Sequence, residues 1–415
     1  MANASDDRRR AVRLLIRIDD GAFASRLLDG VRSAGVRTRV LGVQRWIRRI
    51  DHRLGPLSKR PLDRLDPEVR AVLRLGVFEG AVLGVPPAVA TDAMVRLVRS
   101  LRKSSASGMV NAVLRRALGS GGGKEAPDLR WSHPEWVWRR WSAAFGPEPA
   151  EAAMSAAQEP ADPWVWFADD ASRAEAEGSG AALEAHPWCP GAWTAGDGRS
   201  ALMARVHAGD AVVQDPSSQL VAHLASAVVG GRGSAADLCA APGGKTALLN
   251  RLGDWDRLVA GDRSPAKAHR LGRRIDPVPV VAADAVRPAL PAGVWHLVLL
   301  DAPCSGTGTF RRHPELKWRL TPDAVIESAA LQRAMIAASL ELLAPGGALV
   351  YSTCSVEPEE NEAHFERIPD GFELADLSGH LPDGLPYLET PASGIRILPH
   401  AHGDGFTVHA LRRRG

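Results

Sequence analysis

Two short segments of the sequence each end in a cysteine that follows an apolar run. They read Asp301-Ala-Pro-Cys304 and Tyr351-Ser-Thr-Cys354. A single cysteine in a protein interior is most often a small hydrophobic packing residue. A partly exposed cysteine whose pKa is lowered is instead a strong nucleophile. Two cysteines at corresponding places after two apolar runs therefore indicate thiol chemistry.

A third segment has the composition of a ligand-binding turn. Residues 237–246 read Asp-Leu-Cys-Ala-Ala-Pro-Gly-Gly-Lys-Thr, so an apolar run enters a turn with Pro242, Gly243 and Gly244. Glycines allow a ligand to approach the backbone closely, and the N-terminus of a following helix offers N–H donors. The segment matches neither the phosphate-binding P-loop nor GxGxxG. It predicts a ligand-binding turn without identifying the ligand.

Two aspartates follow the next apolar runs. Asp262 lies 18 residues after Gly244, where nucleotide-binding α/β folds place a carboxylate that accepts hydrogen bonds from ribose hydroxyls. Asp284 ends the following run, where a polar group can bind an adenine amino group. Each aspartate alone is equally typical of a turn or a helix cap. Together with the glycine turn, they favour a nucleoside-binding site.

The elements that must position these residues alternate between strand and helix. Apolar runs at 235–239, 258–261, 278–282, 295–300 and 347–352 are separated by helical stretches such as 265–274 and 322–343. Nearly continuous apolar strands are typical of a parallel sheet covered on both faces. We therefore predict an α/β fold with a Rossmann-like, doubly wound, mostly parallel sheet. The carboxyl ends of its strands bring the candidate residues to one crevice.

The rest of the chain predicts two further parts. Residues 1–120 have helical periodicity and predict an all-α domain, which Ser120-Gly-Gly-Gly123 separates from the remainder. Residues 124–210 form a connecting subdomain that contains eight of the twelve tryptophans. Tryptophans can stack on bases, but packing between domains is the favoured interpretation. The Rossmann-like domain is expected at 211–415.

Charge is unevenly distributed along the chain. Residues 1–120 hold 24 Lys/Arg and 11 Asp/Glu, a net charge of +13, whereas the remainder holds 27 and 37, a net charge of −10. The basic part indicates a polyanionic partner, although solvated helix faces are the alternative.

No apolar run approaches the roughly 18 residues of a membrane span. Four scattered cysteines form neither a disulfide framework nor a zinc motif, so we expect a cytoplasmic protein without a metal.

These segments resemble the Sun (Fmu) family of S-adenosylmethionine-dependent RNA cytosine-C5 methyltransferases. Residues 239–245 resemble its methyl-donor loop, Asp301–Cys304 with Thr353-Cys354 its two-cysteine signature, and Arg311–Trp318 the segment between them. The helical part resembles the NusB-like RNA-binding domain, with Leu73–Gly76 and Val110–Arg115 as matching stretches. That domain implies the bacterial 16S rRNA branch. The expected partner is thus 16S rRNA or a small-subunit precursor, bound by a monomer and away from membranes.

The resemblance also implies roles for individual residues. Cys354 is the expected nucleophile toward C6 of cytosine and Cys304 assists product release. Asp301 stabilises charge on the base, and Lys245 either favours the thiolate, caps the turn or anchors Asp301. The residues expected to bind S-adenosyl-L-methionine are Cys239, Ala240, Ala241, Pro242, Gly243, Gly244, Lys245, Asp262, Asp284 and Asp301. Those expected to contact RNA are Arg311, Arg312, His313, Lys317 and Trp318. Trp318 is equally compatible with packing in a core.

Several alternatives stay open at this point. In DNA cytosine methyltransferases the thiol of a Pro-Cys motif is the nucleophile, which here is Cys304. Those enzymes pair it with a Glu-Asn-Val segment that this sequence lacks, so Cys354 is favoured. Other possible functions are a non-catalytic RNA-binding assembly factor, a tRNA cytosine-5 methyltransferase, and a methyltransferase acting on protein or a small molecule. The complete set of chemical residues argues against the first, and the basic domain argues against the last.

Overall fold

The structure, a computed structural model, describes residues 2–119, 123 and 125–415. Contacts within the chain define two compact units. One contains the described residues up to Glu159 together with Phe310–Arg319, and the other contains Pro160–Thr309 and Leu320–Gly415. Ser120, Gly121 and Gly122 of the predicted linker lie outside the described residues. The division into three domains stays a prediction.

The first unit is helical, as predicted. Its helices are α1 (Ala2–Asp19), α2 (Ala24–Leu28), α3 (Ala34–Leu54), α4 (Pro67–Val77), α5 (Pro87–Ser100), α6 (Ser107–Gly119), α7 (Pro127–Arg130), α8 (Glu135–Phe145) and α9 (Pro147–Ala156). Helix α4 shows how the sequence sets a boundary, because the Asp66 side chain caps it by accepting from the Glu68 N–H and Pro67 occupies its first turn. Its Leu73 and Leu75 are fully buried in the helical core.

The second unit begins with a small antiparallel sheet. Its strands are β1 (Val165–Phe167), β2 (Leu183–Ala185), β3 (Trp193–Ala195) and β4 (Ala211–Val213), in the order β2-β3-β1-β4, with helices α10 (Asp170–Gly178) and α11 (Arg199–Ala208). Tryptophans of the Trp-rich stretch are packing residues here, since Trp164, Trp166 and Trp188 are each at most 7% exposed. In the first unit Trp141 is fully buried as well.

A larger sheet follows and carries the predicted strands. It consists of β5 (Arg232–Asp237), β6 (Asp254–Asp262), β7 (Val280–Ala282), β8 (Trp295–Asp301), β9 (Leu343–Thr353), β10 (Phe372–Leu374), β11 (Leu388–Glu389), β12 (Ile395–Ile397) and β13 (Phe406–Arg413). The helices are α12 (Pro216–Val228), α13 (Gly244–Leu252), α14 (Pro265–Arg274) and α15 (Pro322–Leu342). The five predicted strands are β5 to β9, and they pair in parallel; β10 to β13 join as antiparallel strands. The predicted Rossmann-like fold is confirmed.

The strand order places a crevice beside β5. The sheet runs β11-β12-β13-β9-β8-β5-β6-β7, so β5 lies between β6 and β8 and the chain changes direction there. Open parallel sheets bind ligands outside the carboxyl ends of their strands at such a switch point. The segments after β5, β6, β8 and β9 meet at this edge.

Among the described residues, none of the helices is long and apolar enough to cross a membrane.

Candidate active site

The glycine turn joins β5 to α13 at the carboxyl edge of the sheet. Ala240 N–H donates to the Gly261 carbonyl at 2.8 Å, which fixes the turn against the end of β6. Gly243 caps α13 with a φ of +108°, and a Cβ there would lie 2.8 Å from a methyl group of Leu271. Only glycine suits this position, because other residues rarely adopt such a φ and the space is filled. Gly243 therefore lets the turn pack closely against α14.

The buried carboxylate of Asp237 contacts this turn. Asp237, the last residue of β5, is 1% exposed and its Oδ2 accepts from the Thr246 hydroxyl at 2.7 Å. Burial raises the pKa of Asp237 to about 7, against its ordinary 3.8. The hydrogen bond to Thr246 opposes that rise. Asp237 therefore ties the end of the strand to the first turn of the helix.

The two predicted aspartates lie at the ends of β6, which pairs with β5, and of β7, which pairs with β6. Asp262 ends β6 and accepts from the Ser264 N–H at 2.9 Å, and Asp284 follows β7 and accepts from the Val286 N–H at 3.0 Å. Both aspartates thus make the hydrogen bonds of a turn, which was the alternative to ligand binding that the sequence left open. A cavity of about 10 Å³ lies beside Asp284, and its other lining residues are apolar, among them Leu238, Val281, Ala283 and Pro288.

These features fit S-adenosyl-L-methionine. The glycine turn leads into α13, and the carboxylates Asp262 and Asp284 follow the next two strands of the sheet, which matches the chemistry of a nucleoside-binding site. The predicted residues 239–245 form this turn, and Asp301 lies at the end of the adjacent strand β8.

The two cysteines come together at the same edge. Cys304 follows β8 and Cys354 follows β9, and their Sγ atoms are 3.3 Å apart, so the predicted juxtaposition is confirmed. Both side chains are partly buried, and the Gly308 N–H donates to the Cys354 carbonyl at 3.0 Å. The pKa of Cys304 is raised well above its ordinary value by the hydrogen bond with Cys354 and then by burial. The raised pKa favours the protonated thiol of Cys304, and either sulfur can be the donor in the contact between the two thiols.

Lys245 and Asp301 form an ion pair at this edge. Lys245 Nζ lies 2.8 Å from Asp301 Oδ2, and the Ser352 hydroxyl donates to Asp301 Oδ1 at 2.8 Å. Lys245 also lies 5.0 Å from the centre of the Phe406 ring. Of the three roles considered for Lys245, the geometry matches anchoring of Asp301. Lys245 and Ser352 thus hold both oxygens of the Asp301 side chain.

The structure corrects the expectation of direct RNA contact for two residues. Lys317 is fully buried, and its Nζ donates to the carbonyls of Arg45 at 3.0 Å and Ser132 at 2.9 Å. Burial lowers the pKa of Lys317 well below its usual value. Arg311 is only 2% exposed. Neither side chain is presented to a phosphate, because both are enclosed within the helical unit.

The other three residues of this segment stay candidates for RNA contact. Arg312, His313 and Trp318 are half-buried. Trp318 donates from Nε1 to the Gln44 carbonyl at 2.8 Å, so it also serves as a packing residue of the helical unit. The sequence predicted RNA contact for all of these charged residues, and only the tertiary fold shows which of them are enclosed.

Three groups of the site were missed in the sequence. Glu360 and Ser352 are fully buried against the cysteine and aspartate loops, and Asp237 supports the glycine turn. Glu360 lies in the acidic run Glu357-Pro-Glu-Glu, which is typical of a solvated surface. Asp237 did carry a signal, because a carboxylate at the end of an apolar strand and directly before a glycine turn is positioned to brace that turn.

Comparison with known proteins agrees with this geometry. A profile described as "16S rRNA methyltransferase RsmB/F" matches residues 232–412, and the NusB family profile matches 5–118. A ribosomal RNA small subunit methyltransferase B from Thermus thermophilus is 33% identical, covering 99% of this chain and 98% of its own. A protein of the same name from Xylella fastidiosa is 35% identical over 84% of each chain.

A solved structure gives the same result for the fold. The crystal structure of PH0851 superposes with a TM-score of 0.77 over 98% of each chain at 23% identity. The sequence matches extend over most of the chain, and the two profiles and the shared fold indicate the same family. This chain therefore belongs to the RsmB/F family of methyltransferases, whose methyl donor is S-adenosyl-L-methionine.

Proposed function

We propose that this protein methylates C5 of a cytosine in RNA, with 16S rRNA as the substrate, through a covalent bond between Cys354 and C6 of the base. The observation that carries the proposal is the pair of thiols 3.3 Å apart beside the Lys245–Asp301 ion pair and the glycine turn. The names of the relatives and the NusB-like unit support RNA as the substrate class. A protein that only bound RNA would need neither thiol.

The chemistry requires a nucleophile because C5 of cytosine is a poor one by itself. Addition of the Cys354 thiolate to C6 moves electron density onto C5 and toward N3 of the ring. S-adenosyl-L-methionine, when bound, supplies the electrophilic methyl group. The Cys304 S–H can stabilise the Cys354 thiolate by hydrogen bonding before attack, since the two sulfurs are 3.3 Å apart.

The Lys245–Asp301 ion pair is proposed to act on the N3 side of the cytosine ring. The negative charge that develops toward N3 is stabilised when Asp301 takes a proton from Lys245 and donates a hydrogen bond to N3. Ser352 holds the carboxylate at its second oxygen, so the group is oriented before the base arrives. Once C5 is methylated, a base takes the proton on C5, the electron pair of that C–H bond re-forms the C5–C6 double bond, and Cys354 leaves as a thiolate. We assign Cys304, in its thiolate form, to this release step as the base.

The substrate base must be accessible at the carboxyl edge of the sheet. A cytosine within a duplex cannot reach a crevice of this kind, so the target is single-stranded or flipped out of its stack. The basic helical unit is the expected site of backbone contact, and the protein is expected to act in the cytoplasm.

The test compares three cysteine variants with labelled S-adenosyl-L-methionine and deproteinised 16S rRNA. Cys354→Ala should transfer no label, whereas Cys304→Ala should accumulate a covalent protein–RNA complex that survives a denaturing gel. Cys189→Ala, which removes a buried thiol near Pro216, is the matched control and should retain activity. Activity in Cys354→Ala together with none in Cys304→Ala would reverse the two assignments. Absence of methyl transfer by the unaltered protein would leave the non-catalytic RNA-binding role.

A further inference from the structure

A buried carboxylate lies directly behind the two cysteines. Glu360 is fully buried, and its Oε1 accepts from the Ser305 N–H at 2.8 Å and from Gln332 Nε2 at 3.1 Å. Its Oε2 accepts from the Ser305 hydroxyl. Ser305 is the residue after Cys304. One carboxylate therefore fixes both the backbone and the side chain next to the first thiol.

The same cluster reaches the residue after the second thiol. The hydroxyls of Ser305 and Ser355 are 3.2 Å apart, and Ser355 directly follows Cys354. Glu360 is itself anchored to β9, because the Tyr351 hydroxyl donates to its backbone carbonyl at 2.6 Å. Glu360 and the two serines thus form a bridge between the loop that follows β8 and the loop that follows β9.

A carboxylate in this place is costly and has no part in the mechanism above. Burial raises the pKa of Glu360, and the hydrogen bonds from Ser305 and Ser355 oppose that rise. Its charge also contributes to the raised pKa of Cys304, which does not favour a thiolate there. What the group provides is geometry, because its two oxygens have four lone-pair sites for donors from separate loops.

We propose that Glu360 is a positioning residue that holds the loops of Cys304 and Cys354 in register, so that the two thiols face each other. Its consequence for catalysis rests on the proposed function. The geometric part does not, because the separation of two thiols can be measured without methyl transfer.

Two substitutions distinguish the effect of the length of the Glu360 side chain from the effect of its negative charge. In Glu360→Gln the amide oxygen can still accept from Ser305 N–H and Gln332, while the amide NH₂ donates to the Ser305 hydroxyl, whose proton then turns to Ser355. The bridge survives and the charge is lost. In Glu360→Asp the charge is retained, but the carboxylate is one methylene shorter and cannot reach both Ser305 and Gln332.

The primary measurement is the rate at which diamide joins Cys304 to Cys354. Diamide takes two electrons and two protons from the thiols, giving one disulfide and the reduced hydrazine. The cross-link is detected by mass spectrometry of peptides from the full chain. Thermal melting of each variant confirms that it is folded, and Glu366→Gln, an exposed glutamate nearby, is the matched control.

The expected result is a loss of about ten-fold or more in cross-linking rate for Glu360→Asp, because a displacement of about 1 Å disrupts precise geometry. Glu360→Gln and Glu366→Gln should cross-link close to the wild-type rate. In the methylation assay, kcat should fall in Glu360→Asp while KM for S-adenosyl-L-methionine is unchanged.

Three results would overturn the proposal. Wild-type cross-linking in Glu360→Asp would show that reach is unimportant. The reverse order, with Glu360→Gln impaired and Glu360→Asp normal, would assign an electrostatic role. Equal rates in all variants would remove any role. If cross-linking follows the expected order but no variant methylates RNA, the positioning role stands and the proposed function fails.

Discussion

At the scale of single residues, Asp301 is oriented before any substrate binds. Lys245 holds one carboxylate oxygen and Ser352 the other, each at 2.8 Å. The thiols of Cys304 and Cys354 show the same preorganisation at 3.3 Å. Groups fixed in advance can stabilise developing charge without reorganising at the moment of reaction. The reactive side chains are thus supported by neighbours that take no part in bond making.

Asp237 leads to a prediction about pH and stability. Its native pKa is about 7 and its ordinary value is 3.8, so between these values the native state keeps a proton that the unfolded state has lost. The contribution to stability is therefore complete below pH 3.8 and is lost as the pH rises through 7. Asp237→Asn keeps an acceptor for Thr246 and has no proton to lose.

We expect the free energy of unfolding of Asp237→Asn, relative to wild type, to increase from pH 5 to pH 8. The increase should be at most about 3 kcal/mol, since only the two pH units between 5 and the native pKa of about 7 contribute, at about 1.4 kcal/mol each. Urea denaturation of both proteins across this range is the measurement. A difference between the two proteins that does not change with pH would contradict the raised pKa.

At the scale of elements, the cysteine loops are held by a close approach of backbones. Gly308 accepts from the Gly405 N–H at 2.8 Å and donates to the Cys354 carbonyl at 3.0 Å. A Cβ at Gly308 would lie 2.2 Å from the Gly405 carbonyl oxygen. Backbone atoms cannot move aside as a flexible side chain can. The loop after β8 therefore fits the start of β13 only with glycine at this position.

Gly308→Ala should accordingly push the loop away from β13 and disturb the thiol pair. We expect a loss of about 1–3 kcal/mol in the free energy of unfolding, which is typical of overpacking, and a lower kcat. Chemical denaturation and the methylation assay measure the two effects. Gly379→Ala is the control, because no atom lies within 4 Å of a Cβ built there. Equal stability of the two variants would show that the contact with Gly405 is not restrictive.

At the scale of the whole molecule, the basic charge lies in the NusB-like part of the sequence. Arg10, Arg13 and Arg17 are spaced three and four residues apart on α1, and all three are exposed. Such spacing places them on one face of the helix. An exposed row of guanidinium groups suits contact with an RNA backbone, whose binding releases counterions and depends steeply on salt.

Replacing these three arginines with glutamine should weaken binding of 16S rRNA and reduce the salt dependence. The slope of log affinity against log salt should fall by about 2 units, since each neutralised phosphate contributes about 0.7–0.9. Filter binding at several salt concentrations gives both quantities. The control removes the same charge from α14 as Lys267→Gln, Arg270→Gln and Arg273→Gln. Equal effects of the two triple variants would mean that the row on α1 is not a specific contact.

The sequence by itself predicted the candidate site residues and the main elements of the fold. Cys304, Cys354 and the glycine turn could be identified because their types and spacing are local properties, and the apolar runs predicted the five parallel strands. Strand ends in a parallel sheet meet at one edge, so local pattern and topology together placed the site.

Only the tertiary structure decided what surrounds these residues. Lys317 and Glu360 both lie in charged segments of the kind that is usually exposed to solvent, yet both side chains are fully buried. Lys317 is hydrogen-bonded to backbone carbonyls, and Glu360 lies in a hydrogen-bonded cluster with two serines. Burial of a charge depends on donors and acceptors that are brought from distant parts of the chain. The sequence records the charge at a position, and the fold determines whether partners enclose it or water reaches it.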